Sequence, residues 1–178
     1  MKNTVLTLCL VILLGFWVCA SAGAAEDPAA KGTRGHFNLI KELAGEWTGT
    51  AGEAGAGGVP TTVRYALTAG GSAVTEVMFQ GTPHEMLTVY TMDGEDLVLT
   101  HYCAMGNQPR MRASGKSGEG RIVFDFAGGG NLRSATDAHM HSMVLTLLEP
   151  DHIRAEWTFY EKGEPAGVKV FDLRRKSN

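Results

Sequence analysis

Six histidines are the side chains of this sequence best suited to chemistry near neutral pH, as metal ligands, proton carriers or polar anchors. Three of them have apolar company. His101 alternates with Leu97, Leu99, Cys103 and Met105, so in an extended strand all five share one face. His139 and His141 share a face with Met143, Leu145 and Leu147 in the same way. Two uses follow. One is a metal-ligand set of His101, Cys103, His139 and His141, since histidine with cysteine suits zinc or copper and methionine adds copper(I). The other is imidazole hydrogen-bonded inside a partly polar interior. His-x-His spacing puts two ligands on one face but supplies no third.

Other residues offer less. Cys103 is either a nucleophile or a buried inert thiol, and no helix N-terminus or oriented base stands near it in the chain to activate it. Arg110 and Arg112 share a face. An inward Arg110 would hold a ligand carboxylate with its bidentate fork, whereas an outward one belongs to a solvated surface. Glu76 lies between Val74 and Met78, so it reads as an inward carboxylate able to meet an arginine. Trp157, with Ile153, Ala155 and Phe159, makes an apolar strand face that either lines a cavity or fills it. The sequence has no Gly-x-Ser-x-Gly, no His-Glu-x-x-His and no dinucleotide glycine pattern.

The elements that position these residues are strands. Apolar residues at helical spacing predict one short helix over 36–44, ended by Gly45. From Glu46 onward, turn residues recur at the spacing of an antiparallel meander. Strands are predicted over 46–50, 62–68, 72–80, 86–92, 96–105, 108–114, 121–127, 140–148, 153–160 and 168–173. Gly70-Gly71, Asp93-Gly94, Gly106-Asn107, Pro150-Asp151 and Lys162-Gly163 mark turns. About ten strands joined in sequence form an up-and-down sheet, and a sheet that size removes its exposed edges by closing. The glycine cluster from Gly52 to Gly58 reads as a flexible loop, because it lacks the Lys-Ser/Thr of a phosphate-binding loop.

The chain has 178 residues and a formal net charge of −3. Residues 1–24 read as a secretory signal peptide: Lys2 is the positive n-region, 5–18 is an apolar run, and Ala20-Ser21-Ala22 and Ala22-Gly23-Ala24 are small-x-small cleavage sites. The expected protein is therefore exported, periplasmic or secreted, with no stable membrane insertion after cleavage. Residues 25–35 read as a flexible lead-in and 36–175 as one domain. Cys9 and Cys19 leave with the leader, so Cys103 has no intramolecular disulfide partner. Mild acidity without basic clusters argues against nucleic acid as a partner.

The segment 39–49, LIKELAGEWTG, resembles the opening of lipocalin-like (calycin) barrels, where a short helix leads into Gly-x-Trp; here that is Gly45-Glu46-Trp47. The second glycine, Gly49, and the stretch 101–111, HYCAMGNQPRM, resemble the nitrobindin-like branch and uncharacterised bacterial exported proteins. The resemblance implies an all-β, lipocalin-like barrel of about ten strands whose floor is plugged by Trp47, with Gly45 and Gly49 structural. It also implies a pocket for a small, mostly apolar ligand. Nitrobindin-like proteins hold haem through a histidine near the C-terminus, and the last strand here has none.

The function read from the sequence is an exported binding module, a carrier or sensor for a small hydrophobic molecule, with His101, Arg110, His141, Glu76 and Trp157 as ligand-binding residues and no required cofactor. The alternative is a metal- or haem-binding barrel using the inward histidines. A third reading is a small enzyme acting within the barrel through a histidine or Glu76 as base.

Overall fold

A computed structural model describes residues 28–134 and 136–177; the signal peptide expected at 1–24 lies outside them. The chain forms one helix, α1 (Pro28–Glu42), and ten strands: β1 (Gly45–Glu53), β2 (Val59–Thr68), β3 (Ala73–Met78), β4 (Met86–Asp93), β5 (Asp96–Tyr102), β6 (Gln108–Ala113), β7 (Arg121–Gly130), β8 (His139–Glu149), β9 (His152–Glu161) and β10 (Glu164–Arg175). Each strand pairs antiparallel with its neighbours in sequence, and β1 closes the barrel on β10.

All ten expected strands are present. Three differences matter. First, α1 begins at Pro28, so much of the segment expected to be a flexible lead-in is helical. Its N-terminal half is tied down: Thr33 Oγ1 donates to the Glu95 carbonyl at 2.7 Å and Arg34 pairs with the Glu95 carboxylate at 3.0 Å. Second, β5 ends at Tyr102, because Cys103 starts a turn in which its N–H donates to Asn107 O and Gly106 N–H donates to its carbonyl. Third, β7 continues through Gly128, Gly129 and Gly130, where a loop was expected. Those glycines let the backbone approach β6; a Cβ on Gly129 would lie 2.6 Å from the Gln108 carbonyl oxygen.

Phe37 and Ile40 lie on one helix face, Leu43 follows in the turn just beyond it at the same spacing, and all three are buried over the end of the barrel that carries the β4–β5 turn. Trp47 is fully buried beneath them. Its Nε1–H donates to the Leu43 carbonyl at 2.8 Å, its ring meets Tyr65 edge-on, and the Arg175 guanidinium lies 4.4 Å from the ring centroid. The floor-plug arrangement expected from Gly-x-Trp is therefore present. Gly49 is required by contact: a Cβ there would sit 1.9 Å from the Asp172 carbonyl oxygen of β10, on the seam that closes the barrel. Gly45, at φ +133°, takes a conformation that suits glycine.

In an up-and-down barrel, alternate turns lie at opposite ends. The helix and Trp47 therefore close one end. The β1–β2, β3–β4, β5–β6, β7–β8 and β9–β10 connections ring the other.

Candidate functional site

Strand register assembles a row of polar side chains across the barrel interior. Tyr65 on β2 stands opposite Glu76 on β3, Glu76 opposite Thr88 on β4, and Thr88 opposite His101 on β5. All four are at most 2% exposed. Tyr65 donates to Glu76 Oε1 at 2.9 Å, and Tyr90, also buried, donates to Oε2 at 2.6 Å. Thr88 Oγ1 and His101 Nδ1 are hydrogen-bonded at 3.0 Å.

Burial sets the protonation of this row. Desolvation raises the Glu76 pKa above its usual range, opposed by hydrogen bonding from Tyr90, Tyr65 and the nearby Thr88 hydroxyl. It raises both tyrosines well above 10, with the Glu76 charge adding to the effect. The same burial pushes His101 down to about 4, so its imidazole is neutral at pH 7.

His101 also faces the open end. It helps wall a cavity of about 230 Å³ with Met78, Phe79, Met86, Met140, Trp157 and Phe171, while Ala51, Gly52 and Lys169 complete the rim. Lys169 is ion-paired there with Glu53. The wall is overwhelmingly apolar, and its three methionines are flexible, polarizable packers. The His101 and Trp157 rings are 4.7 Å apart. Each carries a buried nitrogen without a hydrogen-bond partner, His101 Nε2 and Trp157 Nε1. An unmatched buried polar group costs about 1–3 kcal/mol, so two on adjacent wall residues mark a place to look for a ligand.

The sequence-predicted residues divide accordingly. His101 and Trp157 stand together at the cavity. Glu76 faces inward as expected, but it meets two tyrosines and not an arginine. Arg110 corrects the expectation of an inward guanidinium: it is half exposed and paired at 2.6 Å with Asp93, and Arg112 pairs likewise with Asp96. Both project from the outer surface, where cross-strand carboxylates and water solvate them.

His141 also departs from expectation. A bulge between Met140 and Ser142, opposite β9, interrupts the alternation that would have aligned His139, His141 and Met143. Met140 lines the cavity in their place. The two histidines bond to each other at 3.0 Å, His139 Nδ1 lies 2.6 Å from the Asp137 carbonyl, and His141 stacks on Tyr160 at 3.7 Å. Cys103 lies in the β5–β6 turn, so His101, Cys103, His139 and His141 are not one ligand set. Among the described residues, no group of three or more His, Cys, Asp or Glu is arranged to hold a metal ion.

Sequence reasoning missed Tyr65, Thr88 and Tyr90. Their signal was present: a carboxylate on an apolar face needs inward hydroxyl partners, and these three lie on the neighbouring strands.

No protein-family model matches the chain, and no curated protein does. Among solved structures it is similar to a protein of unknown function of the DUF3598 family from Nostoc punctiforme, at 16% identity with a TM-score of 0.51. That similarity covers 77% of this chain and 49% of the other, so the chain spans about half the length of its structural neighbour. At that identity the likeness concerns the fold.

Proposed function

We propose that this protein is an exported binding barrel, a carrier or sensor that holds a small, mostly apolar molecule in the cavity beside His101 and Trp157. The observation that carries the reading is that cavity: about 230 Å³, walled by methionine and aromatic side chains, at the barrel end opposite the Trp47 plug. An aliphatic-lined cavity of about 150 Å³ takes up benzene, so this one has room for a ring with a short alkyl chain. The lipocalin-like resemblance of the Gly45-Glu46-Trp47 opening supports the same reading. The haem-binding mode of nitrobindin-like proteins receives no such support, since β10 carries no histidine.

The experiment is a titration with n-butylbenzene, followed by tryptophan fluorescence and calorimetry. The protein is expressed with its own leader and recovered from the periplasm or medium. Saturable one-to-one binding is expected, abolished by Met86→Trp, which fills the cavity. Absence of binding, or equal binding by the filled variant, overturns the cavity reading. Recovery only from the cytoplasm with residues 1–24 intact overturns export.

A further inference from the structure

The cavity wall contains an asymmetric pair of hydrogen-bonding groups, and their chemistry selects the head group of the ligand. Trp157 Nε1 is a donor only. For His101 the polar row decides. The Thr88 hydroxyl has one proton, and its neighbours are the Glu76 carboxylate and His101 Nδ1. Glu76 already accepts from two tyrosines, and the Thr88 hydroxyl is placed to donate to it as a third. With its proton turned toward Glu76, Thr88 accepts from His101 Nδ1–H. A neutral imidazole protonated at Nδ1 then has a bare lone pair at Nε2. Two wall residues thus carry one donor and one acceptor, on rings 4.7 Å apart, both nitrogens buried and without a partner, in surroundings that are apolar apart from Lys169, which is paired with Glu53.

We infer that the cavity recognises a small apolar molecule ending in a hydroxyl group, of the phenol or alcohol class, whose oxygen accepts from Trp157 Nε1–H and whose proton goes to His101 Nε2. One hydroxyl satisfies both orphaned nitrogens. A carboxylate would present a second acceptor to the His101 lone pair, and a hydrocarbon would leave both nitrogens unmatched. This rests on the cavity reading above and adds the chemical class of the occupant.

The test compares 4-ethylphenol, 4-ethylanisole and 4-ethyltoluene by calorimetry on the full protein. They share a ring and a chain. The phenol can donate and accept, the ether can only accept, and the hydrocarbon can do neither. In a wall without polar partners the phenol would bind weakest, because its hydroxyl is desolvated without return. The expected order is phenol, then ether, then hydrocarbon, with the phenol tighter than the hydrocarbon by at least about tenfold. Trp157→Phe should bring phenol and ether down toward the hydrocarbon and leave the hydrocarbon unchanged. His101→Phe should weaken the phenol alone. Equal or reversed affinities of phenol and hydrocarbon overturn the head-group inference while leaving the cavity reading intact. Binding of none of the three overturns both. An unchanged order in Trp157→Phe, a variant that keeps the ring and so the packing, also overturns the inference, even if His101→Phe fails to fold.

Discussion

Acid should loosen this barrel through His101, and the size of the effect follows from its burial. The imidazole is 1% exposed, and desolvation lowers its pKa from 6.5 to about 4. Between those values the unfolded chain takes up a proton that the folded barrel refuses, so stability falls as pH drops through the window. A displacement of that size, at about 1.4 kcal/mol per pKa unit, is worth about 3 kcal/mol between pH 7 and pH 4. Glu76 has the opposite slope: its raised pKa means that the folded barrel holds a proton more firmly than the unfolded chain, so its contribution diminishes as pH rises above about 4.5. Raw stability against pH therefore mixes the two.

A double difference separates them. His101→Gln keeps a polar group beside Thr88 and removes the titration, while Glu76 and the other five histidines remain in both proteins. Urea denaturation of each at pH 7, 6, 5 and 4 gives four pairs of free energies. Wild type should lose about 3 kcal/mol more than His101→Gln between pH 7 and pH 4, with most of the divergence below pH 6. Parallel profiles, differing by a constant offset, would refute the reasoning, since they would mean that the imidazole is solvated in the folded state and is not the buried wall group described above.

Two further outcomes follow from contact geometry. Gly49→Ala places a methyl group 1.9 Å from the Asp172 carbonyl oxygen, which forces β1 and β10 apart at the closing seam; a loss of about 3 kcal/mol in urea denaturation, or failure to fold, is expected. Arg110→Ala removes only an exposed pair with Asp93, so stability should change by less than about 1 kcal/mol, and 4-ethylphenol affinity measured by calorimetry should not change.

Most of the barrel was legible in the sequence because its signals are local. Alternation such as Ile122, Val123, Phe124, Asp125 and Phe126 identifies a strand without reference to any other strand, and Asp93-Gly94 identifies a turn. The misplaced boundaries have non-local causes. Glu95 anchors Thr33 and Arg34 from 62 and 61 positions away along the chain, so the helix extends back beyond its own apolar stripe. The bulge in β8 is likewise invisible in Met140-His141-Ser142, since it is defined by pairing with β9. One inserted residue was enough to move the two histidines away from the cavity and bring Met140 to it.

The site shows the same limit more sharply. Alternation indicates which face a residue takes, but only register indicates which residue it meets. Glu76 was identifiable as an inward carboxylate, yet an arginine was a reasonable partner until β2, β3 and β4 were aligned and Tyr65, Tyr90 and Thr88 fell around it. The alignment also explains why His101 differs from the other members of the row. Tyr65, Glu76 and Thr88 lie behind the cavity and spend their hydrogen bonds on one another or on His101. His101 alone both belongs to the row and lines the cavity, so the network that orients its ring through Nδ1 leaves Nε2 unspent. A histidine retained only for packing would need neither the row nor the vacant nitrogen. A histidine that met a ligand hydroxyl through Nε2, as proposed above, would use both.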